Sequence, residues 1–259
     1  MSGAVVTAAL APLLGSPDLR AELTSQAPLG RALEIREERG QYLYVRGEDE
    51  HQGWVHRGFV AAGPEDWMAE WLNEAHATSL GALASVDGRF RVLLPLGARV
   101  VLAADGSIHL PDGRIAQVAS GRVAPESTLK EEARAMPPAE WAEVFFGGAP
   151  YLWGGVTPWG VDCSGLVQAT FRMRGIQLPR DSADQARCGA ETAAFEAGDL
   201  LFFGDVGERI THAAIAAGDG TVVHASVGAG GVVRSPLSGD SAEATVLRTT
   251  FRAARRLTY

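Results

Sequence analysis

Short apolar runs separated by turn residues dominate the first quarter of the chain. Residues 5–10, 31–35 and 42–45 are such runs, and clusters rich in Gly, Pro, Asp and Arg lie between them. Short apolar runs bounded by turn residues are typical of β-strands. Several short strands with Gly and Pro between them favour a small β-barrel. We therefore predict a barrel over residues 1–62.

A helix and a second β-rich block follow. In residues 63–79, Asp and Glu stand in the first turn and apolar residues, among them Trp67 and Trp71, recur at helical spacing, which predicts a connecting helix. Residues 80–125 contain further apolar runs between Asp-Gly turns, and we expect a second barrel-sized module there. The predicted strands are 90–94, 98–103, 107–110 and 115–118.

The pattern changes near residue 125. A helical first half followed by an antiparallel second half predicts an α+β domain over residues 126–259. The predicted helices are 129–136, 139–146 and 165–174, and the predicted strands are 199–203, 210–216, 221–225 and 231–234.

The composition narrows the possible functions. The chain has 259 residues, of which 46% are hydrophobic, and this is enough for more than one buried core. Its net charge of −8 and the absence of a long Lys/Arg run argue against binding to nucleic acid or to an anionic membrane surface. The sequence contains no run of about 18 apolar residues, so it predicts no membrane-spanning helix. Small or neutral ligands fit this composition better.

Residues 3–14 are apolar and raise the question of an export signal. No Lys or Arg precedes them, and Thr7 and Pro12 interrupt the run. We interpret the stretch as a first strand and expect a cytoplasmic protein. Export is the alternative if the stretch is a signal.

The chain has two cysteines, Cys163 and Cys188, too few for a disulfide framework. Cys163 follows a turn-rich stretch at 154–160 and begins an apolar-periodic segment, which places it at a predicted helix N-terminus. The positive end of a helix dipole lowers the pKa of a thiol and favours the reactive thiolate. Cys163 is therefore the predicted nucleophile. Cys188 lacks comparable neighbours and is expected to be a small buried residue.

Two histidines lie on consecutive predicted strands. If residues 218–220 form a three-residue hairpin loop, Ala214 pairs with His224, and His212 and His224 become diagonal neighbours about 7–8 Å apart on one face. A two-residue loop would place them on opposite faces. A thiol, a base and a group that orients the base form the arrangement used for acyl transfer. Cys163, His212 and His224 are the predicted catalytic residues.

The same three residues could instead bind Zn²⁺. A closed zinc site needs a fourth protein ligand, and the sequence has neither a Cys-x-x-Cys nor a His-Glu-x-x-His motif. We therefore expect no metal and no cofactor.

Six short motifs occur in order around the three predicted catalytic residues. They are 150–155 (PYLWGG), 162–168 (DCSGLVQ), 175–182 (GIQLPRDS), 198–203 (GDLLFF), 211–213 (THA) and 223–225 (VHA). Together they resemble the NlpC-type cysteine peptidases of bacterial peptidoglycan turnover, over about residues 130–259. The two β-rich blocks resemble bacterial SH3 domains, and the first ends in Gly53-Trp54-Val55. This order is similar to the subgroup of γ-D-glutamyl-L-diamino acid endopeptidases.

The resemblance implies a papain-like catalytic fold without a metal. It implies hydrolysis of the bond between D-glutamate and a diamino acid, in cell-wall peptides with a free N-terminal L-Ala, during wall turnover or recycling. Tyr151 would donate to the developing oxyanion together with the backbone N–H of Cys163. Trp153, an aromatic residue just before the nucleophile loop, would form part of the pocket wall.

The resemblance also assigns four polar substrate-binding residues. Asp162 and Ser164 flank the nucleophile and would bind the D-glutamyl portion of the substrate. Asp181 and Ser182 would bind the free amine of L-Ala, since a desolvated ammonium needs a carboxylate partner.

One part of the pattern departs from that subgroup. The subgroup is expected to carry an acidic residue after the first strand of its first SH3 domain and a tyrosine just before Gly-Trp, but Gly15 and His51 stand there. Asp49 and Glu50 are close enough in sequence to substitute, so the requirement for a free L-Ala is left open.

Two other functions stay open as well. The chain could be a binding module for wall peptides without catalysis, or an acyltransferase or amidase on the same fold. The sequence indicates neither the diamino acid nor the oligomeric state.

Overall fold

The computed structural model describes residues 2–205, 207 and 209–258. The chain forms two compact units, residues 1–129 and residues 130–259, and hydrophobic cores lie within each of them. None of the helices formed by the described residues combines the length and the apolarity that a membrane crossing requires.

The first unit begins with a seven-stranded antiparallel sheet. Its strands are β1 (Ser2–Val6), β2 (Leu10–Leu14), β3 (Leu23–Pro28), β4 (Ala32–Arg39), β5 (Tyr42–Gly47), β6 (Gln52–His56) and β7 (Val60–Pro64). They lie in the order β3-β2-β6-β5-β4-β1-β7. Alternating residues fill the core, as in β5, where Leu43 and Val45 are buried.

The predicted strand over residues 5–10 is wrong in its bounds. Strand β1 ends at Val6 and β2 begins at Leu10. The N–H groups of Thr7 and Ala8 both bond to the carbonyl of Phe59, and these bonds interrupt the strand between the two segments.

A helix, α1 (Glu65–Glu74), leads to the second sheet of this unit. Its strands are β8 (Ala77–Val86), β9 (Phe90–Leu94), β10 (Arg99–Leu102), β11 (Ser107–His109) and β12 (Ile115–Pro125), in the order β10-β11-β12-β8-β9. Strand β10 also pairs with β8, so the sheet closes on itself. Strand β12 extends past the predicted end at residue 118 because two register shifts let it continue along β8.

The second unit combines helices with a six-stranded antiparallel sheet, which confirms the predicted α+β class. Helix α2 (Glu126–Ala135) begins in the first unit and ends in the second. The other helices of the second unit are α3 (Pro138–Phe146), α4 (Cys163–Arg172), α5 (Ser182–Gln185) and α6 (Ala242–Thr250). Its strands are β13 (Val156–Thr157), β14 (Gly160–Val161), β15 (Ala190–Glu191), β16 (Leu200–Gly204), β17 (Ile210–Ala216), β18 (Thr221–Ser226), β19 (Gly231–Pro236) and β20 (Phe251–Arg256). The large sheet has the order β15-β20-β16-β17-β18-β19, and β13 and β14 form a separate hairpin.

The hairpin of β17 and β18 has the predicted geometry. Ile215 pairs with Val223, which is the register that a three-residue loop at 218–220 produces. His212 and His224 consequently lie on the same face of the sheet as diagonal neighbours.

Helix α4 is the buried centre of this unit. Every residue from Cys163 to Phe171 is buried, and the helix packs against β17 and β18. Gly165 permits a close approach to the preceding loop, because a Cβ at this position would lie 2.1 Å from the carbonyl oxygen of Gly155. The missing side chain lets that loop lie against the first turn of α4.

Candidate active site

Cys163 is the first residue of α4, and Asp162 is its N-cap. The Oδ1 atom of Asp162 accepts a hydrogen bond of 2.7 Å from the N–H of Gly165. This cap satisfies a free N–H group, so the helix begins two residues before the predicted start at residue 165. The Cys163 side chain is buried, and backbone N–H groups of Ser164 and Ala213 stabilise its thiolate form through hydrogen bonds. Since Ala213 follows His212, strand β17 lies beside the sulfur.

A buried ion pair holds this cap. Arg180 donates from Nη1 to Asp162 Oδ1 at 3.0 Å and from Nη2 to Asp162 Oδ2 at 2.6 Å, and the side chains are only 2% and 8% exposed. Arg180 Nη1 also donates to Ser164 Oγ at 2.8 Å, while the N–H of Gly154 donates to Asp162 Oδ2 at 2.8 Å. The nucleophile loop is thereby tied to the first turn of α4.

Arg180, a residue that the sequence analysis missed, binds two residues that were predicted to contact the substrate, Asp162 and Ser164. Their contact with a D-glutamyl group stays a prediction. Their contacts within the protein show a second role, which is to position the helix that carries Cys163.

The two histidines belong to a longer hydrogen-bonded chain. His212 Nε2 and His224 Nδ1 are 2.7 Å apart, and His224 Nε2 lies 2.9 Å from Ser235 Oγ. Ser235 donates to Glu243 Oε1 at 2.7 Å. Ser235, on β19, and Glu243, on α6, were not identified from the sequence.

Burial controls the protonation of the thiol and the imidazole. It raises the pKa of Cys163 to about 11, and the negative charge of Asp162 adds to this rise. Burial also lowers the pKa of His212 to about 3, with a further contribution from His224. The expected lowering of the thiol pKa is therefore wrong. Lost hydration and the nearby carboxylate raise the pKa by more than the backbone N–H groups of Ser164 and Ala213 lower it. The neutral thiol and neutral imidazole are the favoured resting forms.

The lowered pKa of His212 predicts a pH-dependent stability. The unfolded chain binds a proton at His212 below about pH 6.5, whereas the folded protein does not bind it until about pH 3. The stabilisation is complete above pH 6.5 and is lost as the pH falls towards 3. We expect the free energy of unfolding of His212→Gln to fall less steeply with acid than that of the unsubstituted protein, by up to about 1.4 kcal/mol per pH unit.

Urea unfolding of both proteins at pH 7.0, 6.0, 5.0 and 4.5 measures this difference. His109→Gln, at a histidine of the first unit, serves as the control and should follow the unsubstituted protein. Parallel curves for His212→Gln and the unsubstituted protein would contradict the prediction.

Tyr151 lies close enough to Cys163 and Asp162 for their charges to act on its phenol. Burial raises the pKa of its phenol to about 12, and the charges of Cys163 and Asp162 contribute in the same direction. The phenol is therefore protonated at neutral pH and able to donate a hydrogen bond. Its predicted role as an oxyanion donor stays a prediction.

A cavity of about 710 Å³ opens on the His212 side of the site. Tyr151 and Trp153 form part of its wall together with His212, His224 and Glu243. Trp153 is 60% exposed, so much of its ring is available to a ligand. The rest of the lining comes from α6, from the loop after β18, and from a group of residues at the adjoining ends of β16, β17 and β18, namely Phe203, Gly204, Asp205, Thr211 and Ser226.

Asp181 and Ser182 lie at the start of the short helix α5. Asp181 is exposed, and its side chain makes no hydrogen bond that caps α5. The chain brings Asp181 towards the first turn of α4, because the neighbouring Arg180 is bonded to Ser164 and Gln185 donates to the Ser164 carbonyl at 3.0 Å. Both predicted amine-binding residues stay predictions.

Cys188 is not buried as predicted. Its side chain is partly exposed, and its sulfur lies 3.6 Å from the carbonyl oxygen of Asp184. Burial and the Asp184 charge raise its pKa. Cys188 lies in the turn that follows α5, a short helix that the sequence analysis missed, and there its side chain stays partly open to solvent.

In the first unit, the residues that depart from the endopeptidase pattern have local partners. His51 Nε2 lies 3.1 Å from Thr24 Oγ1, and Glu50 forms an exposed ion pair with Arg46 at 2.6 Å. Asp49 accepts a bond from the N–H of His51 at 3.3 Å. Asp49, Glu50 and His51 are thus each held by contacts within the first unit.

Family models match two parts of the chain. Residues 148–250 match the NlpC/P60 family, and residues 13–58 match the bacterial dipeptidyl-peptidase SH3 domain. The first match contains all three predicted catalytic residues, and the second lies within the first β-sheet.

Relatives and solved structures agree with these matches. The chain is 40% identical over 111 residues to a γ-D-glutamyl-L-lysine dipeptidyl-peptidase of Bacillus subtilis, covering 41% of this chain and 34% of the relative. It is 28% identical over 247 residues to dipeptidyl-peptidase 6 of Lysinibacillus sphaericus, covering 87% and 88%. The crystal structure of an NlpC/P60 family protein from Bacillus cereus superposes with a TM-score of 0.83 at 21% identity, covering 98% of this chain and 99% of that one. The last comparison shows the fold.

Proposed function

We propose that this protein is a cysteine endopeptidase of peptidoglycan-derived peptides, because residues 148–250 match the NlpC/P60 family and residues 13–58 match the bacterial dipeptidyl-peptidase SH3 domain. It cleaves the bond between D-glutamate and a diamino acid. The observation that carries the proposal is the joint placement of Cys163 at the start of α4, beside strand β17, and of His212 within 2.7 Å of His224. The chain spans only about a third of the Bacillus subtilis relative. The proposed activity therefore rests on the residues of this chain and not on the name of that relative.

The reaction begins from the neutral pair. The Cys163 sulfur attacks the γ-carbonyl carbon of D-glutamate while its proton passes to the His212 ring. The Cys163 N–H and the Tyr151 hydroxyl stabilise the oxyanion. The His212 imidazolium then gives the proton to the leaving amine of the diamino acid, and a thioester remains. Water, deprotonated by His212, hydrolyses the thioester and restores the thiol.

The 710 Å³ cavity accommodates the leaving part of the substrate. His212 must reach the leaving amine to protonate it, so the group attached to that amine lies on the His212 side. The cavity is lined by His212 and opens on that side. The diamino acid therefore occupies it, with Trp153 against the aliphatic part of its side chain.

Trp153→Ala is expected to raise KM for the tripeptide about tenfold, because about 1.4 kcal/mol of apolar contact with the diamino acid is lost. Steady-state kinetics of release of the diamino acid measure the change. Phe195→Ala, which removes another exposed aromatic side chain outside this cavity, should leave KM unchanged. An unchanged KM in Trp153→Ala would place the diamino acid elsewhere.

Asp181 is the proposed partner of the substrate's free amine. Its carboxylate is exposed and lies next in sequence to the ion pair beside Cys163. Asp181→Asn is expected to raise KM for L-Ala-γ-D-Glu-L-Lys about tenfold, since a charge-assisted hydrogen bond contributes about 1.5–3 kcal/mol. Turnover of the N-acetylated peptide should not change. Asp184→Asn, on the same short helix, is the matched control, and equal effects on both peptides would exclude the assignment.

Product analysis tests the activity itself. The protein is incubated with L-Ala-γ-D-Glu-L-Lys and with the corresponding meso-diaminopimelate peptide, and the release of the diamino acid is followed by mass spectrometry. An α-linked isomer of the same composition is the control and should stay intact. No release from either γ-linked peptide would refute the proposed hydrolysis, and amide exchange with an added amine would indicate an acyltransferase.

Cytoplasmic location and a role in cell-wall recycling remain predictions from the sequence. Fractionation of cells that express the full natural chain tests the location, and enrichment in the medium or wall fraction would support export.

A further inference from the structure

Four polar side chains form a continuous hydrogen-bonded chain that begins at His212 and ends at the cavity wall. The successive distances are 2.7 Å from His212 to His224, 2.9 Å from His224 to Ser235 and 2.7 Å from Ser235 to Glu243. Ser235 is fully buried and His224 is 3% exposed, whereas the Glu243 side chain is 44% exposed. These hydrogen bonds therefore connect the half-buried His212 and the buried His224 to a carboxylate at the surface.

The number of available protons sets the direction of each bond. A carboxylate has only acceptor atoms, so Ser235 must donate its single hydroxyl proton to Glu243. If the proton pointed to His224 instead, two acceptor oxygens would face each other at 2.7 Å without a proton between them. The Ser235 oxygen consequently accepts, and His224 Nε2 must carry the proton that it accepts.

The same reasoning continues to His212. A neutral imidazole carries one N–H, so a proton on His224 Nε2 leaves His224 Nδ1 as an acceptor. His212 Nε2 must then be the donor across the 2.7 Å contact. The Nδ1 atom of neutral His212 is left with a free lone pair. Burial lowers the pKa of both histidines, which keeps each ring neutral and its tautomer defined.

We propose that Glu243 is a positioning residue that sets the tautomers of both histidines, through Ser235 and through its own carboxylate, whose Oε1 lies 3.5 Å from His224 Nε2. His212 then presents unprotonated Nδ1 to the thiol of Cys163. The proposal rests on the proposed peptidase function. It assigns the proton transfer to a specific atom: the S–H proton of Cys163 moves to His212 Nδ1 and leaves from there to the departing amine. While His212 is an imidazolium, its Nε2–H bond to His224 persists. The Glu243 carboxylate lies at the other end of the same series of hydrogen bonds.

The opposite tautomers would disable the base. If His224 carried its proton on Nδ1, it would donate to His212 Nε2, and His212 would hold its own proton on Nδ1. The nitrogen assigned to the thiol would then have no lone pair to accept a proton. The carboxylate at position 243 is what excludes this arrangement, because it removes the Ser235 proton from His224.

Ring nitrogen spectra of the whole chain test the assignment without catalysis. Long-range ¹H–¹⁵N correlation distinguishes the two neutral tautomers, with His212 and His224 assigned from signals lost in His212→Gln and His224→Gln. We expect both rings in the unsubstituted protein to be protonated at Nε2. Protonation at Nδ1 in either ring overturns the proposal, whether or not the protein cleaves peptides.

Substitution of Glu243 and Ser235 tests the consequence. Glu243→Gln is expected to lower kcat by about 10- to 100-fold with KM for the tripeptide within about twofold, and to shift both rings towards the Nδ1–H tautomer. Ser235→Ala should lower kcat by less than Glu243→Gln does, because Glu243 Oε1 still faces His224 Nε2 at 3.5 Å. Glu140→Gln, at an exposed carboxylate in the first turn of α3, is the matched loss of charge and should behave as the unsubstituted protein.

The outcomes separate the two proposals. If the unsubstituted protein cleaves the tripeptide and Glu243→Gln leaves both the tautomers and kcat unchanged, the positioning role of Glu243 is refuted and the peptidase function stands. If the unsubstituted protein has the expected tautomers but cleaves no peptide, the peptidase function is refuted and the positioning role of Glu243 stands. If Glu243→Gln fails to fold, the tautomers of the unsubstituted protein decide the question alone.

Discussion

Cys163→Ala is expected to lower kcat for cleavage of the γ-linked tripeptide by about 10⁴-fold or more. The substitution removes the atom that forms the thioester, and no arrangement of the remaining groups can replace it. The fold should persist, because alanine fits the space of the buried thiol and the Asp162 cap of α4 does not depend on sulfur. Rapid-quench assays with excess enzyme measure the residual rate, and circular dichroism checks the fold.

Cys188 offers the matched control for this experiment. It is the other free cysteine, it is partly exposed, and its sulfur contacts a backbone carbonyl of α5. Cys188→Ala should retain full activity. If Cys163→Ala kept more than about 1% of the activity, or if Cys188→Ala lost it, the nucleophile would be misassigned.

Local patterns account for the part of the site that the sequence predicted. The hairpin of His212 and His224 depends on a short Gly-Asp-Gly loop between two apolar strands, and loop length alone determines which residues share a face. The helix start at Cys163 depends on an adjacent capping residue, Asp162, and on the apolar period that follows. Both features lie within a few residues of the side chains they place.

The rest of the site depends on contacts between distant segments. Arg180 reaches Asp162 across 18 positions. It stands in the motif at 175–182, but its local pattern does not predict that its partner is the carboxylate beside Cys163. Glu243 lies on α6, which follows a stretch rich in Ser, Gly and Asp that has the composition of a loop. The pKa of Cys163 was predicted in the wrong direction for the same reason, because burial is a property of the tertiary structure and the helix dipole is a local one.

The ion pair of Arg180 and Asp162 has the largest expected effect on stability. Arg180→Met keeps an aliphatic side chain of similar length but leaves the Asp162 carboxylate buried without its cation. Breaking a buried ion pair in this way costs about 3–5 kcal/mol. The pair is bidentate, with distances of 3.0 and 2.6 Å, and both side chains are nearly inaccessible to solvent. Among the residues that the structure describes, the partners left to the Asp162 carboxylate are the N–H groups of Gly154 and Gly165 and the Ser164 hydroxyl.

The loss of stability in Arg180→Met should be concentrated in the segment that carries Cys163. Asp162 joins the loop at 154–162 to the first turn of α4, so a weakened cap loosens Cys163 together with that turn. Hydrogen–deuterium exchange of peptides covering α4 measures the protection free energy locally and does not require the whole chain to unfold in one step. We expect protection in α4 to fall by about 3–5 kcal/mol in Arg180→Met, with kcat falling in parallel.

A surface pair of the same residue types provides the comparison. Arg187 and Asp184 are 2.7 Å apart, but their side chains are 79% and 51% exposed, and such pairs contribute about 0–1 kcal/mol. Arg187→Met should therefore leave α4 protection and kcat almost unchanged. Arg180→Met together with Asp162→Asn should recover part of the loss, because the amide can still cap the helix and no charge is left buried. Equal protection of α4 in Arg180→Met and Arg187→Met would show that the buried pair does not hold the nucleophile helix in place.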